Sequence, residues 1–84
     1  MAMPTEPVTL SAEQVKKLVQ RLSTMRHDIN NYLSLVLAGA ELARYKPDLV
    51  KRMVETLSQQ PPKIIEAITK FSDEFERTLG ITRP

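Results

Sequence analysis

VKKLVQRLSTMRHDINNYLSLVLAGAELA, residues 15–43, places apolar or small side chains at Val15, Leu18, Leu22, Met25, Ile29, Tyr32, Val36, Gly39 and Ala43. The steps between them are three and four residues without a miss. Such a heptad seam, sustained over about four repeats, predicts one long helix packed in a bundle. A second row, Val19, Leu33 and Ala40, widens the stripe beyond a two-stranded seam. Past residue 32 the cluster Leu33, Leu35, Val36 and Leu37 makes the helix apolar nearly all round, which predicts burial on several sides.

Signals on either side set the limits of this helix. Ser11 followed by Gln14 is a capping-box pair with Ser11 as N-cap. Residues 1–10, with Pro4 and Pro7, read as a flexible arm. Arg44-Tyr45-Lys46-Pro47 reads as the turn: basic residues suit a helix C-terminus, Lys46 is pushed out of helical geometry by the proline after it, and Pro47 suits the first position of a new helix. A second seam follows at Val50, Val54, Leu57, Pro61, Ile64, Ile68, Phe71, Phe75 and Leu79. Gly80 is the stop signal, and residues 81–84 are a short tail.

Pro61-Pro62 conflicts with that second helix, because prolines remove helical hydrogen bonds and clash with the preceding turn. The seam nevertheless stays in phase on both sides of them, so the stretch reads as a kinked helix and not as a break. The expected domain is therefore an all-α antiparallel hairpin over residues 11–80, with helix 1 at about 11–43, a turn at 44–47 and helix 2 at about 47–79. Two helices of roughly 33 residues would make it about 50 Å long. A lone hairpin leaves an outer apolar row wet. Two copies packed as a two-fold symmetric four-helix bundle would cover it, so a homodimer is expected.

Composition narrows the function. There is no cysteine and one histidine, which excludes disulfides and thiolate metal sites and argues against an all-protein zinc site. The formal charge is +2 with basic residues spread along the chain, and only two Tyr and two Phe are available for stacking, so no nucleic-acid partner is expected. The stretch from Tyr32 to Ala43 is too short for a bilayer, and residues 1–9 lack the basic and apolar regions of a secretion signal. No membrane association and a cytoplasmic setting are the expectations.

The single histidine stands in Arg26-His27-Asp28-Ile29-Asn30-Asn31-Tyr32-Leu33. With Val15, Leu22, Ile29 and Val36 at heptad position a, His27 falls at f, opposite the seam, and Asn30 and Asn31 flank that face at b and c. A neutral imidazole keeps one nitrogen lone pair free and is among the side chains that form covalent intermediates. Asp28 can hold the other ring nitrogen. Asn31, four residues on, shares a strip of helix surface with His27 and can orient a water. Two consecutive asparagines are poor helix formers, a local cost that hints at a role. Each of these residues also has a plain reading: a surface histidine, a solvated carboxylate, exposed amides. Arg26 reads equally as a phosphate-neutralising cation or a flank residue lying along apolar surface.

The pattern His-Asp-x-Asn-Asn followed by apolar residues resembles the phosphoacceptor box of sensor histidine kinases. The resemblance to their dimerisation and phosphoacceptor domain spans roughly Ser11 to Leu79. It implies that His27 accepts a phosphoryl group and passes it to the aspartate of a response-regulator receiver domain. It also implies that Asp28 and Asn31 serve the reverse reaction, dephosphorylation, and that Arg26, Asn30, Asn31 and Ser34 meet the partner. The chain itself would need no cofactor, and magnesium would sit on the receiver. Tyr32-Leu33 lacks the proline that the common box carries, and the double proline of helix 2 is not expected of the family. Gly39 and Gly80 are the only glycines, so these 84 residues are not expected to form a glycine-rich ATP-binding domain, and nucleotide would come through a separate kinase domain. Three readings stay open: a stand-alone relay, a part of a longer kinase, and a non-catalytic dimerisation or protein-interaction module whose box is vestigial or coincidental. A four-helix cofactor protein is a distant further one, since inward-facing Glu and His ligands are absent.

Overall fold

The capping pair forms as its spacing requires. Ser11 is extended, its Oγ accepts from the Gln14 N–H at 3.1 Å, and Gln14 Oε1 accepts from the Ser11 N–H at 2.9 Å. The computed structural model describes residues 3–80, so the tail at 81–84 and the first two residues of the arm lie outside them. Helix α1 runs Ala12–Tyr45, two residues beyond the expected end. The stop falls at Lys46, with φ −130° and ψ 82°, because only the residue directly before Pro47 is driven from helical geometry. Pro47 does not open the second α-helix. Pro47–Leu49 is a single turn of 3-10 helix, and α2 spans Val50–Leu79. Gly80 closes α2 at φ 69°, a left-handed position that favours glycine, with its N–H directed at the carbonyls of Arg77 and Glu76.

The helices form an antiparallel hairpin, fixed by contacts from Gly39 to Leu57 near the tip and from Arg21 to Glu74 near the base. Arg21 Nε lies 3.2 Å from Glu74 Oε2, a solvent-exposed pair that adds little stability and pins the register. The molecule measures 58 × 27 × 12 Å. Its short dimension leaves no room for a second layer of helices, whose axes need about 8–10 Å of separation. Each side chain between the helices is therefore covered from a few directions only, and no large one among the described residues is fully buried. The radius of gyration, 18.0 Å, compares with about 12 Å for a compact domain of this length.

In α1 the side chains turned to α2 are Leu18, Met25, Ile29, Tyr32, Val36, Gly39 and Ala43, largely the expected seam. In α2 the seam is displaced. Leu57, Ile64 and Phe71 meet α1, but Val50, Val54, Ile68 and Phe75 are only about half covered, and Met53, Thr56, Gln60, Ala67 and Glu74 take the inward positions. The apolar stripe of α2 is wider than the strip that one neighbour covers. α1 shows the same excess: Val15, Val19, Leu22 and Leu33 are exposed.

At 100° per residue the exposed apolar row lies about 80° round from the contact row in both helices, in the same sense. Antiparallel helices with equal offsets bring those rows to one side of the pair. One broad face of the hairpin is thus mostly apolar, interrupted by Arg26, while Leu35 and Leu42 are exposed on the opposite side of α1. The other broad face carries the Arg21–Glu74 pair and a small, shallow groove of about 50 Å³ between the helices, lined by Thr24, Met25, Asp28, Ala67, Lys70 and Phe71 as well.

α2 passes through Pro61-Pro62 as one helix with no cis peptide. Neither proline can donate, so the carbonyls of Leu57 and Ser58 lose their helical partners. Just before them three side chains turn back on the backbone: Thr56 Oγ1 donates to Arg52 O, Ser58 Oγ to Glu55 O, and Gln60 Nε2 to Thr56 O. Gln60 is only 3% exposed, and its Oε1 is buried without a hydrogen-bond partner.

Candidate functional site

His27 sits on the side of α1 turned away from α2, where the heptad position places it. Its side chain is 75% exposed. The surrounding helix is uninterrupted, so the box is held on a rigid rod. Asp28 is the next residue round. Its Oδ1 lies 3.8 Å from His27 Nδ1, within ion-pair distance but beyond hydrogen-bond length. The rest of the Asp28 side chain, 43% exposed, lines the groove shared with Arg21, Lys70 and Glu74. Asp28 therefore stands between the outward imidazole and the inter-helix groove.

Asn31 and Ser34 lie one and two turns on from His27 along the same outer strip, and Asn30 lies beside them; all three are exposed. Ser34 Oγ donates to the Asn30 carbonyl at 2.8 Å, so that hydroxyl proton is engaged with its own helix and only acceptor capacity is left. Arg26 is exposed as well, but one residue back is about 100° round the helix. It therefore belongs to the apolar broad face, between Leu22 and Leu33, and not to the His27 strip. His27, Asn31 and Ser34 share the outer strip of α1, with Asp28 on its groove side and Arg26 and Asn30 on its other side.

Sequence spacing alone does not reveal the groove. Lys70 and Glu74 are more than forty residues from Asp28 and reach it only through the hairpin register. Gln60 stood in the sequence only as a residue beside the prolines; its burial is a tertiary fact. Among the described residues no group of three or more His, Asp or Glu side chains is placed to hold a metal ion. No described helix is long and apolar enough to cross a membrane.

Comparison of the chain with protein-family models, with curated proteins and with solved structures finds no match. The arrangement itself offers an accessible nucleophilic nitrogen, a carboxylate within ion-pair distance, and an amide one turn away, all on one helix.

Proposed function

We propose that this chain is a histidine phosphoacceptor and phosphotransfer module of two-component signalling, acting as a homodimer in the cytoplasm. The observation that carries the reading is His27: a lone, outward imidazole on a long hairpin helix, with the Asp28 carboxylate 3.8 Å from Nδ1. The Nε2 lone pair attacks the phosphorus of a donor. The N–P bond forms as the P–O bond breaks, and the electron pair leaves on the receiver aspartate or, from a separate kinase ATP-binding domain, on ADP. Asp28 offsets the positive charge of the phosphoimidazole. Asn31 orients water in the reverse, phosphatase direction, and Asn30 and Ser34 meet the receiver, which holds the magnesium.

The four-helix bundle, with α2 bent at Pro61-Pro62, belongs to the same proposal. Its support is the apolar broad face. In a square array each helix has two neighbours at right angles, and the contact and exposed rows of each helix are about 80° apart. The chain exposes 6719 Å², about 1,600 Å² more than a compact monomer of its mass. That excess exceeds the roughly 800 Å² per partner that a standard interface covers.

A second reading, a non-catalytic dimerisation or protein-interaction module, is favoured by the same apolar face. Incubation with phosphorylated receiver domains and with active kinase ATP-binding domains separates the two. Acid-labile, base-stable phosphate on the wild-type chain and none on His27→Gln is the expected result. Absence of label from every donor, with the dimer intact, would leave the interaction module.

A further inference from the structure

Three irregularities, two of which share Gln60, fall within two turns of α2. Pro61 and Pro62 leave the carbonyls of Leu57 and Ser58 without helical donors. Thr56, Ser58 and Gln60 all turn their side chains back onto preceding carbonyls, an arrangement that loosens and bends helices. The third is Gln60, whose Oε1 is enclosed between the helices with no donor. Neighbouring side chains of the same contact row, Leu57 and Ile64, have no such unmet group. A buried amide oxygen gains a water partner as soon as it leaves the interface, so the closed state is penalised at this one turn.

We infer that residues 56–62 form a hinge, about which the tip segment of α2 swings relative to the base segment as the Gln60 amide moves between the helix interface and solvent. The continuous helix is the closed state. In the open state water takes up Gln60 Oε1 and the freed carbonyls of Leu57 and Ser58. Close packing on the tip side, where a Cβ on Gly39 would meet Leu57 Cδ2 at 3.0 Å, holds the segment before the prolines against α1. On the base side Phe71, beside Met25 in the inter-helix groove, holds the other segment against α1, so motion concentrates between them. The inference extends the bend proposed above from a fixed kink to a two-state element, and it stands apart from the phosphotransfer chemistry because both readouts below can be taken on a His27→Gln chain.

Backbone hydrogen exchange on the full chain gives the first readout. The amides of Lys63, Ile64 and Ile65 are expected to exchange about tenfold or more faster than those of Met53–Glu55 on one side and Phe71–Asp73 on the other. Gln60→Met, which removes the unmet acceptor, and Pro61→Ala with Pro62→Ala, which restores two donors, should each slow that local exchange. Uniform protection, or exchange that falls smoothly from tip to base, overturns the hinge. The second readout uses the absence of native cysteine. Spin labels at Lys51→Cys and Thr69→Cys, both exposed and about 27 Å apart along a straight helix, should give two distance populations that merge into the longer one in the double alanine variant. One narrow population in both chains overturns it.

Discussion

Ile68→Glu tests the apolar face most directly. Ile68 is 45% exposed, and its outer side faces the same direction as Val50, Val54 and Phe75. In an isolated hairpin this change touches mostly solvated surface, and its effect should stay within about 0.5 kcal/mol. In a dimer that covers the face, the remaining half of the side chain is buried. Full burial of an isoleucine contributes about 1.5–3 kcal/mol, so half contributes about 1 kcal/mol in each copy. Two-fold symmetry doubles this to about 2 kcal/mol, or about 30-fold in the dissociation constant. Two unpaired carboxylates enclosed at the interface add several kcal/mol more. Sedimentation equilibrium over a concentration series, with helicity followed by circular dichroism, should show a dimer for wild type and a monomer or partly unfolded chain for Ile68→Glu. Lys63→Glu, on α2 away from the apolar row, should leave the dimer unchanged. A wild-type chain that is monomeric throughout the series, or an Ile68→Glu dimer as tight as wild type, refutes the reasoning.

Two further substitutions probe the hairpin itself. Ser11→Ala removes the side-chain acceptor of the capping box and should lower stability by about 1 kcal/mol, read as a shift in the urea midpoint with the slope unchanged. Gly39→Val places branched carbons against Leu57, whose Cδ2 is already 3.0 Å from an ideal Cβ position. The overpacking should cost about 1–3 kcal/mol in thermal unfolding, against the small gain in helix propensity over glycine.

Much of the architecture was legible because its causes are local. A capping box needs only Ser11 and Gln14. Lys46 leaves the helix because of its immediate neighbour Pro47, and Gly80 adopts a left-handed turn because it has no Cβ. The outward placement of His27 follows from the heptad, since the side opposite seven inward positions cannot face the partner helix. Even the small misjudged boundaries were local: the turn of 3-10 helix at Pro47–Leu49 is closed by the Leu49 N–H donating to the Lys46 carbonyl three residues back, a pairing that side-chain spacing does not distinguish from the start of an α-helix. Ser34 was legible as an exposed hydroxyl, but its rotamer is a choice between water and its own backbone that spacing does not decide.

By itself, the sequence determined two long helices, their caps, the turn between them, and a histidine box on the outer strip of the first. Periodicity and capping act over a few residues and are written in the chain. Tertiary structure alone decided the rotation of α2 about its axis, which leaves Val50, Val54, Ile68 and Phe75 on an open face and encloses Gln60. It also decided the meeting of Arg21 with Glu74 beside Asp28. A stripe wider than one neighbour can cover permits several rotations with nearly equal burial, and the choice among them rests on contacts between side chains tens of residues apart.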